Sequence, residues 1–226
     1  MYLTLIRWEY LMETLTELLI KRGMKGRILS TSVIANLVKG SPGRRWGLVH
    51  RALDSGELIQ LKRGLYVLAP SLTEREISSF TIANRLIPES YVSMETSLDY
   101  HGWLQEQPTA VQSCIPEGRT RRYRNLFGDF IYTSVPNNGS DFYLGVRREE
   151  SEQDCFLMAG PERALGDTLL SRKPKWQGIT GLCSSLRIDL ELLEGLDLNL
   201  LKELSNFYRS PELRQYLQNL QSALGG

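Results

Sequence analysis

The chain has 226 residues, of which 42% are hydrophobic and 23% are charged, and its formal net charge is +1. These values are ordinary for a soluble globular protein, and the length can hold a small domain and a larger one. No apolar run approaches the roughly 18 residues that a membrane-spanning helix needs, and the charged residues near the start do not suit a signal peptide. We therefore expect a cytoplasmic protein with no membrane segment.

Two amphipathic helices are predicted near the start of the chain. Leu11, Leu15 and Leu18 lie at helical spacing within residues 8–21, and glycines soon follow. A second, short helix is predicted between a Ser-Thr-Ser cap at residues 30–32 and Gly40, with its apolar residues on one face.

A third helix follows directly. Ser41 is a suitable N-cap, and Pro42 suits the first helical position. A helix from here to residue 56 would bury Trp46, Val49 and Leu53 on one side.

A β-hairpin with a basic tip completes the first predicted domain. Residues 58–68 contain two short apolar runs on either side of Lys62, Arg63 and Gly64. Three short helices followed by such a hairpin predict a winged helix-turn-helix over residues 1–70.

Basic residues are concentrated in this domain. Residues 21–63 contain ten lysines and arginines and two acidic residues, a net charge of +8, which leaves −7 for the rest of the chain. A local excess of this kind favours contact with a polyanion, because each phosphate that is neutralised releases condensed counterions. Together with the winged helix it predicts binding to double-stranded DNA, although a solvated face of a small helical domain is the alternative.

The third helix is expected to enter the major groove, with its first turn at the base edges. Arg44 and Arg45 are the predicted base-reading residues, because a guanidinium group can form two hydrogen bonds with guanine. Further contacts to bases, phosphates or the minor groove are predicted for the following residues: Thr31, Ser32, Lys39, Ser41, His50, Arg51, Lys62 and Arg63.

Residues 71–226 are predicted to form a mixed α/β domain with a helical C-terminal tail, so the whole chain is assigned to the α+β class. Helices are predicted at residues 73–86, 94–101 and 161–170 and in the leucine-rich stretch to residue 223. Strands are predicted at residues 91–93, 111–115, 121–123, 130–135, 142–146 and 155–159. The acidic stretch 149–154 is predicted to be a surface loop.

A second basic cluster lies in this larger domain and consists of Arg119, Arg121, Arg122 and Arg124. It is compatible with a second nucleic-acid patch or with a contact for an acidic partner. An edge strand that is protected by its charges explains the cluster equally well.

Residues that could support catalysis are sparse. The two histidines spell out neither a catalytic triad nor a metal cage. Glu95 and Asp99 have the spacing of a nuclease carboxylate pair, but a solvated helix face is the simpler interpretation. Cys114, Cys155 and Cys183 are odd in number and far apart, so we expect reduced, mostly buried thiols. The prediction is a protein that is not an enzyme and has no metal or cofactor.

Four segments occur in an order that resembles the AbiEi family of antitoxins and transcriptional regulators of abortive-infection loci. They are LKRGLYVL at residues 61–68, SYVSMETSLDYHG at 90–102, FGDFIY at 127–132 and AGPERALGD at 159–167. The resemblance covers roughly residues 56–170, and the order of the segments carries it.

The resemblance implies a type IV antitoxin that represses its own operon at inverted repeats. It also implies that the second domain opposes a co-encoded toxin of nucleotidyltransferase type without forming a stable complex with it. The family pattern carries over onto Arg63, Gly64, Tyr66, Pro161, Glu162, Ala164, Leu165 and Asp167. Two features depart from it: Gly166 replaces a larger apolar residue, and residues 1–6 form an extra apolar segment.

Two other functions stay open from the sequence. The protein could be a ligand-sensing repressor whose larger domain holds an effector pocket. It could also be a nuclease that the winged helix guides to DNA, with Glu95 and Asp99 as metal ligands.

Overall fold

The computed structural model describes residues 14–74, 77–139, 141–150 and 154–225. These ranges contain α-helices and two β-sheets in separate parts of the chain, which confirms the α+β class. Two compact units are found, Met1–Ile77 and Ser78–Gly226. The domain boundary at residue 70 stays a prediction from the sequence. Within the described ranges, every helix is too short or too polar to cross a membrane.

Within residues 14–74, the N-terminal unit combines three α-helices with a small antiparallel sheet. Its helices are α1 (Leu15–Lys21), α2 (Thr31–Leu37) and α3 (Pro42–Asp54), and its strands are β1 (Leu29–Ser30), β2 (Leu58–Lys62) and β3 (Leu65–Leu68). The strand order is β1-β3-β2. Leucines and isoleucines of all three helices and of the sheet form one core, which includes Leu19, Ile34 and Leu58.

Side-chain caps set the helix starts in this unit, largely as predicted. The Ser30 hydroxyl accepts a hydrogen bond from the backbone of Val33, and the Ser41 hydroxyl accepts one from the backbone of Arg44. The predicted third helix and the hairpin are confirmed, whereas the short strand β1 was missed. Residues 1–6 and the start of the predicted first helix at residues 8–13 lie outside the described residues.

The predicted burial of Trp46 is wrong. Leu48 and Ala52 are buried and Val49 and Leu53 are partly buried, but Trp46 is 66% exposed. Successive residues of a helix are rotated by about 100°, so Trp46 lies nearly opposite Leu48. A core that is centred on Leu48 therefore leaves the indole in solvent.

The C-terminal unit is built on a six-stranded mixed sheet. Its strands are β4 (Tyr91–Val92), β5 (Val111–Ile115), β6 (Arg121–Asn125), β7 (Gly128–Ser134), β8 (Val146–Glu150) and β9 (Cys155–Ala159). Their order is β6-β7-β5-β4-β9-β8, with β5 parallel to β7 and β4 parallel to β9. The exposed strands β6 and β8 therefore form the two edges.

Seven helices accompany this sheet in the described part of the unit. They are α4 (Ser79–Leu86), α5 (Met94–Tyr100), α6 (Pro161–Arg172), α7 (Gly178–Leu186), α8 (Leu190–Glu194), α9 (Leu198–Phe207) and α10 (Pro211–Leu224). A large apolar core joins α5, α6 and the C-terminal helices. The helical tail that the leucine pattern predicted is confirmed.

Four predictions for this unit are wrong. The predicted strand at 142–146 is wrong, because residues 142–145 form turns and Val146 begins β8; part of the predicted acidic loop belongs to this edge strand. The helix predicted at residues 73–86 begins only at Ser79, where the Ser78 hydroxyl accepts a hydrogen bond from the backbone of Phe80. Cys155 is exposed, so the thiols are not mostly buried.

A buried ion pair lies at the centre of the C-terminal unit. Arg163 and Asp167, one turn apart on α6, both have fully buried side chains, and the Nε–Oδ1 distance is 3.1 Å. Asp167 also accepts hydrogen bonds from the hydroxyls of Tyr91, Ser93 and Tyr208 at 2.7–2.9 Å. The carboxylate therefore joins α6 to β4, to the turn before α5 and to the residue after α9.

The guanidinium group of Arg163 also forms several interactions inside the core. It donates to the Leu144 carbonyl oxygen at 3.0 Å and to the Tyr91 hydroxyl, and its carbon lies 4.0 Å from the ring centre of Phe207. Burial is the largest single effect and lowers the pKa of Arg163, but Asp167 together with Tyr208, Tyr91 and Cys114 outweighs it, so the pKa of Arg163 is raised. The charge is thus kept inside the core.

Gly166 is explained by its neighbour. A Cβ atom at this position would lie 2.5 Å from the Tyr208 Oη and 2.8–2.9 Å from two ring carbons. The tyrosine occupies the space that a larger residue at 166 would fill, and its hydroxyl uses that position to reach Asp167. Glu162, on the same helix, is buried and accepts a hydrogen bond from the backbone of Asp197 at 3.0 Å.

Candidate nucleic-acid interface

Arg45, which was predicted to contact bases, instead stabilises the turn between α2 and α3. Arg45 is half-buried, and its Nε donates to the carbonyl oxygen of Val38 at 3.0 Å. This hydrogen bond ties the first turn of α3 to the C-cap of α2. Arg45 therefore positions the two helices, which leaves Arg44 as the exposed arginine of the first turn.

Arg44 lies over the glycine that precedes α3. A Cβ atom at Gly40 would lie 3.0 Å from the Arg44 Cδ. Gly40 also has a φ of +118°, a backbone conformation that residues other than glycine rarely adopt. Glycine is therefore favoured at position 40 for two reasons. It adopts the positive φ of the turn, and it leaves room for the Arg44 side chain. Arg44 is exposed beside the N-cap Ser41.

An aromatic pair occupies the outward side of α3. The rings of Trp46 and His50, one turn apart, have centroids 3.9 Å apart and are inclined by 50°. Both residues are exposed. His50 was predicted as a contact residue, but Trp46 was predicted to be buried because it lies at helical spacing from Val49 and Leu53. The helical angle from Leu48 was the signal that could have corrected it.

The basic hairpin tip is tied to the start of α2. Arg63 and Gly64 form the turn between β2 and β3, and Gly64 has a φ of +78°. The Gly64 carbonyl oxygen accepts from the Thr31 backbone at 3.0 Å and from the Thr31 hydroxyl at 3.3 Å. The Ser32 hydroxyl lies 2.7 Å from that of Ser30. Both predicted phosphate ligands at this cap thus have partners within the unit.

Several exposed cations of this unit form no ion pair within the part of it that the structure describes. Within residues 14–74, no ion pair is formed by Lys39, Arg44, Arg51 or Arg63, and all four side chains are exposed. Arg51 lies on α3 one turn before its C-terminal end, where its guanidinium group approaches Gly47. These four positive charges are therefore available to bind an external anion.

The second basic cluster lies on the edge strand β6 and in the loop before it. All four arginines are exposed, but Arg124 forms two hydrogen bonds with Asp129, at 2.6 and 2.7 Å. The same hydrogen bonds lower the pKa of Asp129. Tyr123 packs edge-on against Tyr132 of the neighbouring strand. These features favour the interpretation as a charged edge strand over that of a nucleic-acid site.

Glu95 and Asp99, the carboxylate pair considered for a nuclease, do not form part of a metal-binding site in the described residues. The Glu95 carboxylate lies 2.8 Å from the Arg172 guanidinium group, and its backbone N–H donates to Gln112. No group of three or more potential metal ligands occurs in the ranges that the structure describes. Asp99 thus has no set of neighbouring ligands there to complete a metal site.

Neither a protein-family model nor a curated protein matches this chain. The candidate interface is therefore defined by its own geometry. It consists of an exposed, capped helix whose Arg44 and Arg51 form no ion pair within residues 14–74, and of a basic hairpin tip that is hydrogen-bonded to the start of α2.

Proposed function

We propose that the N-terminal unit is a winged helix-turn-helix that binds double-stranded DNA, with α3 in the major groove and the β2–β3 hairpin as the wing. The observation that carries the proposal is the outward face of α3, where Arg44, His50 and Arg51 are exposed and the two arginines have no ion pair among the described residues. The order of α1, α2, α3 and the hairpin supports it.

Arg44 is proposed as the main base-reading residue. It lies in the first turn of α3, the part of a recognition helix that meets base edges. Arg45 is given a positioning role, because its Nε already donates to the Val38 carbonyl oxygen. Lys39 and Arg63 are assigned to phosphates, since both are exposed cations outside the helix.

Trp46 is proposed as an apolar base contact. An indole that is 66% exposed keeps a large apolar surface in water, which burial against a partner would relieve. In the major groove the apolar feature of the bases is the thymine methyl group. Beside His50, Trp46 would therefore favour a site that contains thymine.

The biological role is proposed from the family resemblance. The protein would be a cytoplasmic AbiEi-type antitoxin that represses its own operon at inverted repeats. Its C-terminal unit would counteract a co-encoded nucleotidyltransferase-type toxin without a stable complex. A nuclease is not proposed, because Glu95 is paired with Arg172.

Fluorescence anisotropy with DNA from immediately upstream of the gene tests the DNA-binding proposal. A scrambled duplex is the control, and a salt series measures the charge contribution. We expect a preference of about a thousandfold for the upstream DNA and a steep salt dependence. Equal, weak binding to both duplexes would overturn the proposal.

Arg44→Ala sharpens the same experiment. Loss of a bidentate base contact should weaken binding to the upstream DNA by about tenfold or more and relax the preference over the scrambled duplex. Arg22→Ala is the matched control, since it removes an equal charge from an exposed position at the end of α1. If the two variants behave alike, Arg44 is not a base-reading residue.

Co-expression tests the antitoxin role. The neighbouring gene should inhibit growth alone, and the full chain should restore growth. An Arg44→Ala variant that still restores growth would separate the antitoxin role from repression.

A further inference from the structure

A cleft in the C-terminal unit has the size of a small-molecule site. It has a volume of about 870 Å³ and lies between the end of α6, the loop that follows it and α10. Binding pockets for small organic molecules commonly occupy about 300–1,000 Å³. No local sequence pattern reveals this cleft, because its walls come from three distant parts of the chain.

The floor of the cleft is apolar and aromatic. Leu169 and Leu213 are buried there, and Trp176 packs against Tyr216 in an edge-to-face arrangement with centroids 4.9 Å apart. Apolar and aromatic walls of this kind bind the ring of a ligand through the hydrophobic effect and through ring contacts.

A polar group with no partner reaches this floor. Tyr216 is only 5% exposed, and its hydroxyl makes no hydrogen bond with any residue in the described ranges. Burial raises the pKa of Tyr216, so the hydroxyl keeps its proton at neutral pH and can donate it in a hydrogen bond. The hydroxyl oxygen is not among the fully buried polar atoms that lack a hydrogen bond, so it stays accessible to solvent and can donate to a molecule that enters the cleft.

The rim of the cleft is positively charged. Lys173, Lys175 and Arg209 are exposed lining residues, whereas Glu212 is the one acidic residue among those that line it. The Glu212 carboxylate already accepts from the Ser210 hydroxyl at 2.8 Å. This local excess contrasts with residues 78–226 as a whole, which contain 15 basic and 19 acidic residues.

We propose that this cleft binds a small organic anion that carries an aromatic ring. The ring lies against Trp176 and Leu213, and the anionic group lies at the lysines of the rim. The Tyr216 hydroxyl donates a hydrogen bond to a polar atom of the ligand. Such a site would give the C-terminal unit an effector, which goes beyond the proposed DNA binding and does not depend on it.

Fluorescence titration of the full chain with 8-anilinonaphthalene-1-sulfonate, an aromatic anion, tests the site. N-phenyl-1-naphthylamine, which has the same rings and no charge, is the matched probe. We expect saturable binding of one sulfonate per chain, a rise in melting temperature with the probe, and at least tenfold weaker binding of the neutral probe. Equal affinity for the two probes, or non-saturable binding, would overturn the proposal.

Two variants and one control locate the binding. Lys175→Glu reverses a rim charge and should weaken sulfonate binding at least tenfold. Tyr216→Phe removes only the hydroxyl and should weaken it several-fold. Lys202→Glu makes the same charge change at an exposed residue of α9 outside the cleft and should leave binding unchanged. If Lys175→Glu and Tyr216→Phe bind like the unmodified chain, the cleft is not the site.

Discussion

The two units use arginine in opposite ways. In the N-terminal unit Arg44, Arg51 and Arg63 are exposed and form no ion pair within residues 14–74. In the C-terminal unit Arg163 is fully buried, paired with Asp167 and surrounded by aromatic rings. The exposed arginines contribute little to the fold and are free to bind a partner, whereas the buried one organises a core. Charge alone therefore does not identify a binding residue; burial and partners do.

Removal of the carboxylate of the buried Arg163–Asp167 pair should have the largest effect on stability and tests the structural role of the buried arginine. Asp167→Ala leaves Arg163 charged and unpaired inside the core, so we expect a loss of about 3–5 kcal/mol in the free energy of unfolding. Urea unfolding followed by circular dichroism measures it.

An exposed ion pair of the same unit, Arg124–Asp129, provides the control for that variant. Asp129→Ala breaks the ion pair with Arg124 on the surface and should change stability little. Equal losses in the two variants would contradict a structural role that is special to the buried pair.

Alkaline pH should weaken the same buried network. Burial, reinforced by the Asp167 charge, raises the pKa of both Tyr91 and Tyr208 well above its ordinary value near 10. Above about pH 10 the unfolded chain therefore releases protons that the folded chain keeps. Stability is full below this pH and falls as pH rises further. Unfolding free energies measured from pH 7 to pH 11 check the sign; a flat profile would contradict it.

Gly166→Ala tests the close packing beside the ion pair. The new methyl group would meet the Tyr208 ring at less than 3 Å, so we expect destabilisation of about 1–3 kcal/mol. Gly43→Ala is the matched control on α3, because nothing lies within 4 Å of its Cβ position and alanine favours the helix. The prediction fails if both substitutions stabilise the protein.

Trp46→Ala should have the smallest effect on the stability of the fold but should weaken DNA binding. Because the indole is largely exposed, the melting temperature should hardly change. DNA affinity should fall by about tenfold, and replacing thymine with uracil in the operator should have less effect on the variant than on the unmodified chain. An unchanged affinity would remove Trp46 from the interface.

Local chemistry made much of the fold predictable. The Ser41-Pro42 start of α3 and the glycine turn of the hairpin follow from backbone preferences, and β9 follows from its apolar run. The edge strand β8 was missed because its sequence, VRREE, faces solvent and has no hydrophobic alternation.

The candidate sites were less predictable because they depend on tertiary contacts. The hydrogen bond from Arg45 to Val38 exists only once the turn between α2 and α3 has formed. The cleft joins Pro136, residues 169–176 and residues 209–219, which no local pattern relates. The helical periodicity around Leu48 was available from the sequence, however, and would have placed Trp46 outside the core.

The fit of Tyr208 over Gly166 also limits how this chain can change over generations. A larger residue at 166 needs a smaller residue at 208, but a smaller residue at 208 removes a hydroxyl from Asp167. Neither single step is neutral, so these positions should be substituted together or not at all. Homologous chains that carry a bulkier residue at 166 should lack the tyrosine and should satisfy the carboxylate in another way.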